Sequence, residues 1–141
     1  MEYEARKIEA AVDQLDWSIR LFLDHQAYVP AITLAGAAEE IIGETLSDES
    51  AFSILRDRLS KRLEMDPKVV SQQHLNRTKN WLKHWKDMKD SEVLTIELET
   101  EAIGCIFRAI ANLAGHDKSL SSESPRFLEW VAHNRQDLHA I

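Results

Sequence analysis

The chain has 141 residues, 44% of them hydrophobic and 29% charged, with four glycines and three prolines. That length suits one domain with a proper core, and the scarcity of turn residues points to helix. A net charge of −7 argues against a general nucleic-acid coating protein.

No apolar run approaches the roughly 20 residues that a bilayer span needs. The opening MEYEARKIEA is charged and amphipathic, unlike a signal peptide. The lone Cys105 has no internal disulfide partner, which fits a reducing, cytoplasmic setting.

The first helix is expected over residues 3–23. Ile8, Val12, Leu15, Ile19 and Phe22 recur at alternating steps of four and three, one apolar stripe. His25 follows, where a cation suits the helix dipole. A second helix starts near Tyr28, with Pro30 in an early position where its missing N–H costs nothing. Its run AITLAGAAEEIIGETL is rich in small residues, so two backbones can approach closely. Close packing is the expected reason for Gly36 and Gly43, each costing about 1 kcal/mol relative to Ala. Glu39 and Glu40 interrupt the run. At least one is expected to face the bundle with a partner, since an unpaired buried carboxylate is expensive.

Ser47-Asp-Glu-Ser50 reads as a polar link with good N-cap residues. A third helix follows, with Phe52, Leu55, Leu59 and Leu63 inward and Arg56, Arg58, Lys61 and Arg62 outward. Asp66-Pro67 stops it and can cap the next helical run, for which Ser71 is the candidate break. KDMKDSEV reads as a polar loop, with residues 93–96 briefly extended. The last long helix begins near Glu97, with acids Glu97, Glu99 and Glu101 favourable against its dipole. Ile103, Ile106, Phe107, Ile110 and Leu113 form its core stripe, and Gly115 ends it. Cys105 reads as a small buried or half-buried residue. After a linker, a short C-terminal helix offers Phe127, Leu128, Trp130 and Val131. The expected fold is all-α: one domain over residues 1–141, an antiparallel bundle of four or five helices with a short terminal helix.

Charge is uneven. Between 73 and 89 lie Arg77, Lys79, Lys83, Lys86 and Lys89 against Asp87, a local +4 that leaves −11 on the rest. Within this island, residues 75–85 read LNRTKNWLKHW. At about 100° per residue, Leu75, Thr78, Leu82 and Trp85 fall on a core side. Arg77, Asn80 and His84 fall on another, with Trp81 on the boundary, Lys83 at the margin and Lys79 roughly opposite Arg77. Arg77 and His84 are two turns apart, about 10 Å along the axis.

Such a set suits RNA transesterification. Imidazole can take the 2′-hydroxyl proton or protonate the leaving oxygen. A guanidinium binds phosphate bidentately, and Asn80 can orient either group. No metal or other cofactor is required. Lys79, Lys83 and Trp81 are the candidate substrate-binding residues. Glu39 and Glu40 are the candidate carboxylates to hold the cations, and one beside His84 would raise its pKa. The same residues also suit a solvated charged face.

AITLAGAAEEIIGETL, then LNRTKNWLKH, then TIELETEAIGCIFRAIANL resembles, in order and pattern over residues 15–113, bacterial members of the HEPN (higher eukaryotes and prokaryotes nucleotide-binding) superfamily. The resemblance implies an all-α bundle, often a homodimer in which two Arg/His pairs face each other. It also implies metal-independent endoribonuclease activity, as in toxins of toxin–antitoxin pairs and defence nucleases. The family signature is Arg, four to six residues, then His. Arg77 and His84 meet the widest spacing. Other members read like RN-x-LKH, and there this chain has Lys79 in place of the Arg, while Asn80, Leu82, Lys83 and His84 match. A lysine lacks the guanidinium fork.

Asn134, Arg135 and His139 mimic the motif near the C-terminus, where fraying would spoil a site. Glu129 and His133 share a helix face, but no further ligands complete a metal site. His74 and His116 read as helix-end or surface residues. Two functions follow: an endoribonuclease on single-stranded or looped RNA, or a non-catalytic dimerising adaptor, antitoxin-like or nucleotide-sensing module with a ligand or protein partner. Neither involves a membrane.

Overall fold

The computed structural model describes residues 1–76, 78, 82 and 97–140; residues 77, 79–81, 83–96 and 141, with the side chains of 73, 74, 139 and 140, lie outside that set. Every regular element among the described residues is helical, and the fold is an all-α bundle.

Helix α1 spans Lys7–His25, starting four residues later than the expected residue 3 and one residue before the first apolar residue of the stripe, Ile8. Leu15, Ile19 and Phe22 are buried, with Ile8 and Val12 packed against them. Gln26 ends it in the left-handed region (φ 49°), and the chain reverses within Gln26-Ala27 into α2, Tyr28–Glu44. So short a link makes α1 and α2 antiparallel neighbours. Ala31, Ala35, Gly36 and Ala38 of α2 are buried, as the small-residue run requires. The one buried hydroxyl at this contact is satisfied: Ser18 donates to the Ala31 carbonyl at 2.7 Å.

A 3₁₀ turn, Ser47–Glu49, leads to α3, Ala51–Leu63, which Ser50 caps by accepting from the Ser53 N–H at 3.1 Å. The inward stripe expected of α3 is only partly realised. Phe52, Leu55 and Leu59 are half-buried, Leu63 is 45% exposed, and the fully packed residue is Ser53. The left-handed Glu64 that ends α3 turns the chain at once, and Leu63 in that last turn stays at the surface.

Asp66 then caps α4, Pro67–Val70, by accepting from Lys68 at 2.8 Å, with Pro67 at the first helical position. From Ser71 the pitch changes to a π-type turn, Ser71–Leu75, closed by the Asn76 N–H donating to the Ser71 carbonyl at 2.8 Å.

Helix α5, Leu98–Asp117, joins α1 and α2 in the core. Ile103, Ile106, Ile110 and Leu113 are buried, but Phe107 is 37% exposed, stacking edge-on against Phe127 from the rim. Gly115 does not end the helix. It lies inside, where a Cβ would come within 3.3 Å of Leu46, and Lys118 supplies the left-handed cap. Helix α6, Ser124–Asn134, buries Phe127 and Val131, followed by a 3₁₀ turn Gln136–Ala140. Phe22 gathers Tyr28, Phe127 and Trp130 at centroid distances of 5.3, 5.5 and 5.0 Å. Burying a side chain such as Phe127 contributes about 1.5–3 kcal/mol.

Helix directions follow from cross-contacts. Tyr28 bonds Glu99, Glu39 pairs with Arg108, and Thr45 meets His116, so α2 and α5 run the same way. Phe107 packs on Phe127 while Glu99 bonds Arg135, so α5 and α6 are antiparallel. The antiparallel neighbours are thus α1/α2, α5/α6 and α1/α5. The long connection after α2 returns the chain to the starting end, which lets α2 and α5 lie parallel.

Candidate functional site

The described site is built on α2, where the chain places a carboxylate inside the core. Glu39 is 2% exposed and its carboxylate accepts a hydrogen bond from Nε of Arg108 on α5. Arg108 also points Nη2 at Cys105 Sγ, 3.4 Å away. Burial works against the Arg108 charge, but Glu39, Cys105 and Glu101 together hold its pKa above the ordinary guanidinium value. Glu101, two turns earlier on α5, also has its carboxyl pKa raised: burial disfavours its charge, with Arg108 opposing.

One turn beyond Arg108, Asn112 ties three elements together. Its Nδ2 donates to the Glu39 carbonyl at 3.1 Å, and its Oδ1 accepts the Ala51 N–H at 2.7 Å, satisfying the start of α3. Gly43 makes room for this amide. A Cβ there would stand 3.0 Å from Asn112 Nδ2, so close packing does account for that glycine.

Above this network lies a cavity of about 510 Å³, reached from α2, α3, α5 and the end of the π-type turn. Glu39, Glu40, Glu44, Ser50, Asn76 and Asn112 are among its lining residues. Glu39 forms its floor and exposed Glu40 its rim. Asn76 immediately precedes Arg77. Farther on, Thr78 is 5% exposed and Leu82 packs against the core, where the core side of the wheel puts them. Arg77, Lys79, Asn80, Trp81, Lys83 and His84 themselves lie outside the described residues.

Arg108 and Asn112 do not stand out from the apolar periodicity of α5. Their signal is the presence of two polar residues, four apart, inside the apolar stripe of α5, facing a glutamate inside the small-residue run of α2. The C-terminal imitation of the motif has its arginine committed elsewhere. Arg135 donates to Asp137 and Glu99, which raises its pKa, and also to the Thr100 hydroxyl, so its fork is occupied. His133 bonds the Glu129 carbonyl at 2.8 Å, within its own helix, and His116 meets Thr45 at 3.0 Å on the surface. Among the described residues, no group of three or more His, Cys, Asp or Glu is placed to hold a metal ion. None of the described helices is long and apolar enough to cross a membrane. Compared with family models, with curated proteins and with solved structures, the chain has no match in any of the three.

Proposed function

We propose that the chain is a HEPN-like, homodimeric, metal-independent endoribonuclease with a toxin or defence role. In this reading His84 removes the 2′-hydroxyl proton, the freed oxygen attacks phosphorus, and a 2′,3′-cyclic phosphate forms. The second copy's His84 protonates the leaving 5′-oxygen, which is why the dimer matters. Arg77, helped by Lys79 and Lys83, neutralises the charge gathering on phosphate, Asn80 orients the pair, and Trp81 offers a stacking face. The observation that carries this reading is the position of Asn76, the residue before the basic segment, on the wall of a cavity shared with Glu39 and Glu40. Asn76 directly precedes Arg77 in the sequence, so its place on a wall with Glu40, and with Glu39 already paired to Arg108, supports a motif that begins near a candidate carboxylate.

A second reading is a non-catalytic dimerising module, antitoxin-like or nucleotide-sensing, that binds a ligand or protein partner. It is favoured by the cavity wall, whose described residues include three glutamates and no cation. One experiment separates the two. Purified protein is incubated with mixed RNA in excess chelator, beside His84→Ala. Cyclic-phosphate ends from the parent protein and none from the variant support cleavage; intact RNA with both overturns it in favour of the module.

A further inference from the structure

Helix α5 buries one side against α1 and α2 and turns the opposite side to solvent. On that open side Gly104, Ala111 and Lys118 follow at seven-residue steps, two turns each, and so form one row. Ala111 and Lys118 are exposed, and Gly104 is half-buried. Phe107 stands along one edge of the row, 37% exposed. Glu101 and the exposed Gly115 stand along the other. Gly104 lies in mid-helix, where glycine is unfavourable relative to alanine. Among the described residues, a Cβ there would meet only the end of the flexible Arg108 side chain, at 3.3 Å. Packing within the described chain gives no strong reason for a glycine at 104, whereas a second helix backbone arriving from outside would. Glu101 is half-buried but makes no hydrogen bond or close ion pair among the described residues. Lys118, the left-handed cap at the far end, has no ion pair among them either.

We propose that this open side of α5 is the contact surface of a homodimer, packed antiparallel on the same side of a second copy. The order of the charges selects a second copy over an unrelated partner. The acid lies toward the N-terminal end of the row and the base at the C-terminal end, so antiparallel pairing brings the acid of each copy to the base of the other. A two-fold axis makes both contacts at once, and antiparallel helix dipoles agree with it. The spacing agrees as well. Glu101 with Lys118, and Gly104 with Gly115, are both centred between Ala109 and Ile110. A two-fold axis at that height sets each glycine level with the partner's other glycine and each acid level with a base. Phe107 then falls one residue, about 1.5 Å along the axis, from Ala111 of the second copy. Small side chains let the backbones approach, and the aromatic ring is the anchor that a contact of this kind uses. None of these residues belongs to the basic segment, so the dimer stands with or without RNA cleavage.

The test is sedimentation velocity of the intact protein in a dilution series from tens of micromolar. The expected species at the top of the series has twice the 16.2 kDa mass of the chain. Ala111→Glu sets a charge against the partner's apolar surface, with its own copy about 4.5 Å away along the axis. It should give a monomer with the helical circular dichroism spectrum of the parent, because Ala111 is exposed in the single copy. Ala10→Glu adds the same charge at an exposed position of α1 and should leave the dimer intact. Glu101→Lys and Lys118→Glu should each weaken the dimer about tenfold, and the two exchanges together should restore it. A monomer at every concentration, a dimer untouched by Ala111→Glu, or a double exchange no tighter than the single ones overturns the proposal. So does a dimer that Ala10→Glu disperses as readily, since net charge and not this surface would then govern association. RNA cleavage by a dimer that Ala111→Glu leaves whole keeps the ribonuclease reading and removes this surface. A dimer that Ala111→Glu disperses, in a protein that cuts no RNA, does the reverse.

Discussion

Arg108 and Glu39 close an ion pair between α5 and α2 at a point where the glutamate is almost wholly removed from water. Two charges were desolvated to make this contact, so its net contribution is small, but breaking it on one side leaves a buried charge alone. Glu39→Ala or Arg108→Ala should therefore each cost about 3–5 kcal/mol. Replacing both by Met should cost much less than the sum of the two single losses. Urea denaturation of the four proteins checks this. Additive losses would mean that the pair is not coupled and that Arg108 is held by other groups.

Much of this was legible beforehand. The stripe Leu15-Ile19-Phe22, the small face of α2, the Asp66-Pro67 cap and the start of α5 at Glu97 all follow from periodicity and capping chemistry, and the structure has them. The direction of α5 was not legible, because a long connection can return the chain to either end of α2. Helix ends depend on cap geometry more than on residue type, so a lysine in the left-handed region stops α5 where Gly115 was expected to. The need for a partner at Glu39 could be read from one helix alone. Its partner Arg108 is 69 residues away, and only the tertiary packing brings the two together.

Glu101 gives a pH dependence whose sign can be worked out. Burial raises its carboxyl pKa above the ordinary 4.5, with Arg108 only partly opposing. The folded state then holds the proton more tightly than the unfolded chain does. Over the interval from pH 4.5 up to the raised value, this group makes stability fall as pH rises. Glu101→Gln removes the ionisation, so it should stabilise the protein at neutral pH and have little effect near pH 4. Melting temperatures of both proteins across that range decide it. A constant difference at all pH values would show that Glu101 acts through packing alone.

Asp16 anchors the final helix from a distance of more than 100 residues. Its Oδ1 accepts the Glu123 N–H and its Oδ2 the Ser122 hydroxyl, both at 3.0 Å, just before α6 begins. These bonds satisfy backbone at a helix entry and are made to a carboxylate, so Asp16→Ala should cost about 1.5–3 kcal/mol. The loss should concentrate in α6. Hydrogen exchange should speed up from Ser122 through Val131 more than in α2, since the bonds of Asp16 go to Ser122 and Glu123. Uniform acceleration across the chain would show that α6 does not open separately.

The proposed chemistry turns on Lys79, which under the HEPN-like reading stands where an RN-x-LKH motif would have arginine. If RNA cleavage needs a planar fork at that position, lysine supplies the charge without the second parallel hydrogen bond. Lys79→Arg should then raise the cleavage rate about tenfold or more, since a charge-assisted bond contributes about 1.5–3 kcal/mol. Arg77→Lys in the same protein reports which cation is the clamp. If Arg77 already serves, Arg77→Lys abolishes cleavage and Lys79→Arg changes little. If position 79 is the clamp, Lys79→Arg raises the rate even with Lys at 77. Single-turnover cleavage in excess chelator, with His84→Ala as the blank, measures all of these. No cleavage above that blank in any variant would leave the basic segment as a binding surface, and the dimerising module would become the working account of the protein.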